Sequence, residues 1–133
     1  MAFTRGREIG IDLERIRPNF ATQEIAERFF APAEIAVLRS LSEEVRTRAF
    51  FDCWTRKEAF IKARGLGLSL SLRKFAVSLA PEEEPALLSV EEDPQAPTRW
   101  MLKNLEVAEG FAAALAVQGR DCQIRCYEGT MEE

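Results

Sequence analysis

Apolar residues fall at every second position early in the chain. Within Arg7–Leu13, Ile9, Ile11 and Leu13 share one face, while Asp12 and then Glu14 take the opposite one. This alternation predicts a strand that Arg17-Pro18 brings to an end. The apolar spacing then changes to three and four. Thr22 can cap a short helix that buries Ile25, Phe29 and Phe30, and Pro32 suits the first turn of another with Ile35 and Leu38 inward. Ser42 followed by Glu43 and Glu44 opens the longest helix, about 42–64, with acids placed well for its N-terminal dipole. Gly65-Leu66-Gly67 stops it with a left-handed cap.

Beyond this point the pattern shortens into strands at Phe75–Leu79, Ala86–Val90, Trp100–Glu106, Phe111–Val117 and Gln123–Tyr127. Trp100–Glu106 and Phe111–Val117, joined across Ala108-Glu109-Gly110, read as a hairpin. The acidic, proline-bounded stretches at 81–85 and 91–94 read as solvated connections. Helices first and antiparallel strands after give an α+β fold, with a short antiparallel sheet against one long helix. No repeat or linker interrupts the chain, so 1–133 is expected to be one domain.

Composition narrows the chemistry. With 47% hydrophobic and 30% charged residues the chain is neither disordered nor collagenous. No apolar run approaches the roughly 20 residues of a membrane-spanning helix, and the first residues lack the apolar core of a signal peptide. A cytoplasmic protein is expected. There is no histidine, which removes Ser-His-Asp and Cys-His nucleophiles and histidine-ligated zinc together. Cys53, Cys122 and Cys126 contain no CxxC pair and read as buried thiols. Residues 1–75 carry 14 Lys and Arg against 10 Asp and Glu, and residues 76–133 carry 4 against 12. The first part could meet an anion or an acidic protein, but it lacks the strongly basic, aromatic-laced character of a nucleic-acid binder.

Two segments concentrate reactive groups. Gly10-Ile11-Asp12-Leu13-Glu14 aims two carboxylates one way from an otherwise apolar strand. Trp54-Thr55-Arg56-Lys57-Glu58-Ala59-Phe60-Ile61-Lys62 sets a carboxylate among cations on the long helix. Three carboxylates and water form the hard oxygen site that suits Mg²⁺ on a phosphate, and lysines beside it would meet the remaining charge. Each segment has an ordinary alternative as well. Asp12 and Glu14 could be the solvated face of an edge strand, and Glu58 with Lys62 could be a surface i, i+4 pair. Trp54 and Phe60 read as core.

The two segments together, with Ala63-Arg64-Gly65-Leu66-Gly67-Leu68 completing the second, resemble the signature blocks of the 4′-phosphopantetheinyl transferases, most closely the surfactin-synthetase-activating type. The likeness extends through Phe29-Phe30, Ser69–Leu79 and the Gly110–Val117 strand. It implies transfer of the phosphopantetheine arm of coenzyme A to a serine of an acyl or peptidyl carrier protein. It further implies that Asp12, Glu14 and Glu58 hold Mg²⁺, that Lys62 contacts the coenzyme A phosphates and assists the leaving group, and that Glu58 takes the serine proton. Lys57 becomes a secondary phosphate contact. The segment Gly65–Phe75 would meet the carrier, with Arg64, Arg73 and Lys74 facing its acids and Leu66, Leu68, Leu70 and Leu72 packing or docking.

The resemblance covers the second half of a tandem enzyme. The first half's Asn-Leu-Ser-His-like motif has no counterpart, and neither does the late Ser-His-like motif of the single-domain holo-acyl-carrier-protein-synthase type. Here the corresponding strand reads Phe-Ala-Ala-Ala-Leu-Ala-Val. A homo-oligomer, or a separate partner supplying the N-terminal half, is therefore expected. The alternatives are a non-catalytic module that binds carrier protein or coenzyme A, and a fragment of a longer transferase.

Overall fold

The computed structural model describes residues 8–20, 23–64 and 70–119. Strand β1 (Ile9–Arg15) leads into helices α1 (Gln23–Phe29), α2 (Pro32–Ser40) and α3 (Glu43–Arg64). A 3₁₀ turn at Leu72–Lys74 is followed by β2 (Phe75–Val77), β3 (Leu87–Val90), the short helix α4 (Ala96–Arg99), β4 (Trp100–Asn104) and β5 (Phe111–Gln118). The α+β expectation and the β4–β5 hairpin hold. The Thr22 cap, the Gly65–Gly67 stop, the strand at 123–127, and Cys122 and Cys126 lie outside the described residues.

Two antiparallel sheets form, one of three strands ordered β1-β5-β4 and one of two, β2-β3. Chain ends that are far apart in sequence pair in the first sheet, with Ile11 opposite Leu115 and Asp12 opposite Ala114. Gly110 closes the hairpin at φ +90, a conformation glycine adopts without a Cβ penalty.

Helix α3 is the axis of the molecule, packed on β1 and β5 and touching β4, β2 and α2. Small residues let it sit close. Ala112, Ala114 and Ala116 of β5 are fully buried on the same face as Glu14, Asp12 and Gly10. From Ala49 to Ala63 the helix is buried almost all round, so its sequence is not simply amphipathic. Its half-exposed positions Trp54 and Glu58, with exposed Lys62, form one i, i+4, i+8 strip. Behind Trp54 stands an aromatic cluster of Phe20, Phe29, Phe30 and Phe50, and Trp54 stacks on Phe50 at 14°. No helix among the described residues is long and apolar enough to cross a membrane.

The period of β1 is as expected, and the carboxylate side, not the isoleucine side, is the one turned to the helix. Gly10 and Asp12 face α3 and are buried, while Ile11 and Leu13 point away from it, 38% and 55% exposed. The polar side is inward because α3 covers it. Neither a solvated carboxylate face nor an inward apolar stripe describes this strand.

Candidate functional site

The crossing of β1 over α3 builds the site. An added Cβ at Gly10 would lie 2.3 Å from the Ala59 carbonyl oxygen and 2.5 Å from the Ala63 nitrogen. Backbone therefore touches backbone at this point, which only glycine permits. Two residues along the strand, Asp12 reaches the helix strip. Its Oδ1 accepts a hydrogen bond from Lys62 Nζ at 2.7 Å, and its side chain is 4% exposed while that of Lys62 is 51% exposed. Asp12 Oδ2 is buried and no N–H or hydroxyl reaches it, while the Glu14 carboxyl is a hydrogen-bonding neighbour of Asp12.

Glu14 and Glu58 stand within electrostatic reach of Asp12. Burial first, then the Asp12 carboxyl and the Glu58 charge, push Glu14 up to about 7, while Lys62 pulls the other way. Burial, and after it the charge of Asp12, also raises Glu58. The hydrogen bond to Asp12 raises Lys62. Three carboxylates thus share one ammonium, a local excess of negative charge in a partly dry place. Among the described residues no three ligating side chains stand closed around one point. The donor set nevertheless fits a hard divalent cation: all ligands are oxygen, they repel one another, and no N–H or hydroxyl reaches one buried oxygen.

Lys57 lies elsewhere. It is 1% exposed, and its ammonium donates to Glu34 Oε1 at 2.7 Å, to Glu34 Oε2 at 2.9 Å and to the Phe75 carbonyl, while also lying over the Phe75 ring. An ammonium has three protons, so none remains for a phosphate. The expected phosphate contact at Lys57 is corrected to a buried structural pair. Glu34 also accepts the Ala31 N–H at the start of α2 and the Val77 N–H of β2, so one carboxylate joins three elements. Burial pushes Glu34 up and Lys57 down, each toward neutrality, and their pairing opposes both shifts. Lys57 follows Arg56, which is also buried and held by the Ser78 carbonyl and Asn104. The sequence singled out Lys57 for its nearness to Glu58, yet one helical step turns a side chain by about 100° and separates the two. Glu34 was missed. The only local sign was an acid three residues after Ala31, at the beginning of α2.

Of the proposed carrier-facing segment, Leu70 and Leu72 pack partly buried against the core, whereas Arg73 and Lys74 are exposed. Arg73 donates to the Glu27 carbonyl at 3.0 Å. Leu66 and Leu68 lie outside the described residues.

One buried and two half-buried carboxylates with one lysine, on a strand crossing a central helix, define a class of sites suited to hold a cation against a phosphate. The comparisons identify the family. The sequence profile described as ACPS, 4′-phosphopantetheinyl transferase superfamily, matches residues 8–116. The chain belongs to that superfamily. It is 42% identical over 113 residues to the 4′-phosphopantetheinyl transferase HetI of Nostoc sp. (strain PCC 7120), covering 85% of this chain and 44% of that one. It is 34% identical over 113 residues to the 4′-phosphopantetheinyl transferase Sfp of Bacillus subtilis (strain 168), covering 85% and 48%. The chain thus spans a little under half the length of these curated relatives. Among solved structures, it is similar to the Helicobacter pylori holo-[acyl-carrier-protein] synthase in complex with coenzyme A, with TM-score 0.56, 26% identity, and 81% and 96% coverage. The fold also matches apo-ACPS of Chronobacterium ammoniagenes at TM-score 0.61 and 24% identity, covering 86% of this chain and 99% of that one.

Proposed function

We propose that the chain transfers the 4′-phosphopantetheine arm of coenzyme A to a serine of an acyl or peptidyl carrier protein, in a Mg²⁺-dependent reaction in the cytoplasm. The observation that carries this reading is the meeting of Asp12, Glu14, Glu58 and Lys62 at one strand–helix crossing, in a chain whose relatives are named for this transfer. Asp12, Glu14 and Glu58 would hold the cation, which would polarise the phosphate and offset its charge. The serine oxygen forms the new bond to the phosphorus that carries pantetheine, and the bond between the two phosphates breaks. Adenosine 3′,5′-bisphosphate leaves. Glu58, raised by burial, takes the serine proton, and the exposed ammonium of Lys62 meets the departing phosphate.

A second copy, or a separate half, would complete the nucleotide end of the site. The outward Ile11 and Leu13 face is where such a partner would fit. The competing reading is a non-catalytic module that binds carrier protein or coenzyme A, or a fragment of a longer transferase.

Calorimetry with coenzyme A present should show Mg²⁺-dependent binding that Asp12→Ala removes; an unchanged isotherm sinks the metal assignment. Conversion of an apo carrier protein, followed as mass gain with and without a first-half partner, separates enzyme from module. Lys62→Ala should slow transfer by about 10²–10³. A parent protein inactive in both settings transfers the case to the module.

A further inference from the structure

Lys62 has a feature that its phosphate role does not require. A long, half-exposed side chain with four rotatable bonds loses much rotamer freedom when fixed, and an exposed partner rarely repays it. Here the partner is not exposed. Asp12 is held on β1 beneath α3, opposite Ala114, so its carboxylate is a fixed point rather than a second mobile end. One oxygen of that carboxylate binds the ammonium at 2.7 Å, while the other is buried where no N–H or hydroxyl reaches it, with the Glu14 carboxyl as the hydrogen-bonding neighbour of Asp12. The Ile11 carbonyl, at 3.5 Å from Nζ, stands on the same side.

We propose that Asp12 works through both oxygens at once, Oδ2 turned to the cation and Oδ1 tethering the Lys62 ammonium, so that Asp12 is the positioning residue for Lys62. The inference rests on the proposed reading of the site as a cation and phosphate centre. Charge supports joint occupancy. Once all three are ionised, the carboxylates balance one divalent cation and one ammonium, so the two cations are complements rather than rivals for Asp12. Geometry supports it too. Asp12 and the Ile11 carbonyl take two protons of the ammonium and leave the third directed outward, where a phosphate could take it. Binding the cation then leaves the lysine in place, already aimed.

Reductive methylation with formaldehyde and a borane reads the tether directly. Peptide mapping gives the rate at Lys62, with exposed Lys103 as the internal reference. Lys62 should react about five- to tenfold faster in Asp12→Ala than in the parent, with Asp12→Asn between them, since the amide keeps the shape but not the charge. Glu58→Gln removes a nearby charge but no hydrogen bond to Lys62, and should stay close to the parent. Saturating Mg²⁺ should leave the parent's Lys62 protected. Equal rates in the parent and Asp12→Ala would dispose of the tether. A rise on adding Mg²⁺ to the Asp12→Ala level would overturn joint occupancy and make Lys62 a placeholder that the metal expels. If calorimetry finds no Mg²⁺ binding to the parent, the proposed function and the Oδ2 role fall together, while the metal-free rates still decide the tether. Should Asp12→Ala fail to fold, Asp12→Asn carries the comparison.

Discussion

Lys57 and Glu58 are neighbours in sequence with opposite fates. Glu58 lies on the open strip beside Asp12, and Lys57 is sealed against Glu34 and Phe75. Removing one member of a buried pair leaves the other charge stranded, so Lys57→Ala should cost about 3–5 kcal/mol of stability. Urea denaturation checks this, and an unchanged midpoint would return Lys57 to the surface role its position first suggested. Replacing Lys57 and Glu34 together by Met and Leu should recover much of the loss, because no unpaired charge then remains. Cys53, fully buried beside this pair with its thiol pushed well up by burial, is in contact with none of the proposed chemistry.

Among the elements, the junction of β1 with α3 sets the site. Gly10 lets the strand lie directly on the helix, and the alanines of β5 lower the floor next to it. Gly10→Ala should cost about 3 kcal/mol or more, since backbone atoms on both sides must separate. It should also abolish Mg²⁺ binding by carrying Asp12 away from Glu58 and Lys62. Normal Mg²⁺ affinity in a folded Gly10→Ala would show that the crossing is not what assembles the site. Much of this was legible beforehand. The alternation in β1 and the extent of α3 were both readable, because each depends on local spacing and on the residues that open the element. The inward direction of Asp12 was not, because it depends on what covers the strand. The Glu34–Lys57 bond joins positions 23 residues apart and leaves no periodic trace. Helix α4 escaped notice because four residues, one of them Pro97, are too few to display a period.

At the scale of the molecule, β1 is, among the described residues, both the edge of its sheet and the bearer of an outward apolar pair. Unpaired edges and bare apolar faces favour association, and identical chains usually close symmetrically. Light scattering at tens of micromolar should return a dimer or trimer of the 15.1 kDa chain. Leu13→Arg should shift it toward the monomer. A parent already at monomer mass would speak for a separate partner half instead.

Asp12 and Lys62 are separated by 50 positions and touch only when β1 has closed onto the far end of α3. An unfolded chain brings such distant groups together only rarely, because of the entropy of closing so long a loop. Any ligand that needs both can therefore bind the native state alone, and its binding free energy adds to the free energy of folding. At a ligand concentration 100 times its dissociation constant the gain is about 2.7 kcal/mol. Occupancy and foldedness thus become one thermodynamic quantity in this protein, and a melting curve recorded with and without ligand measures both.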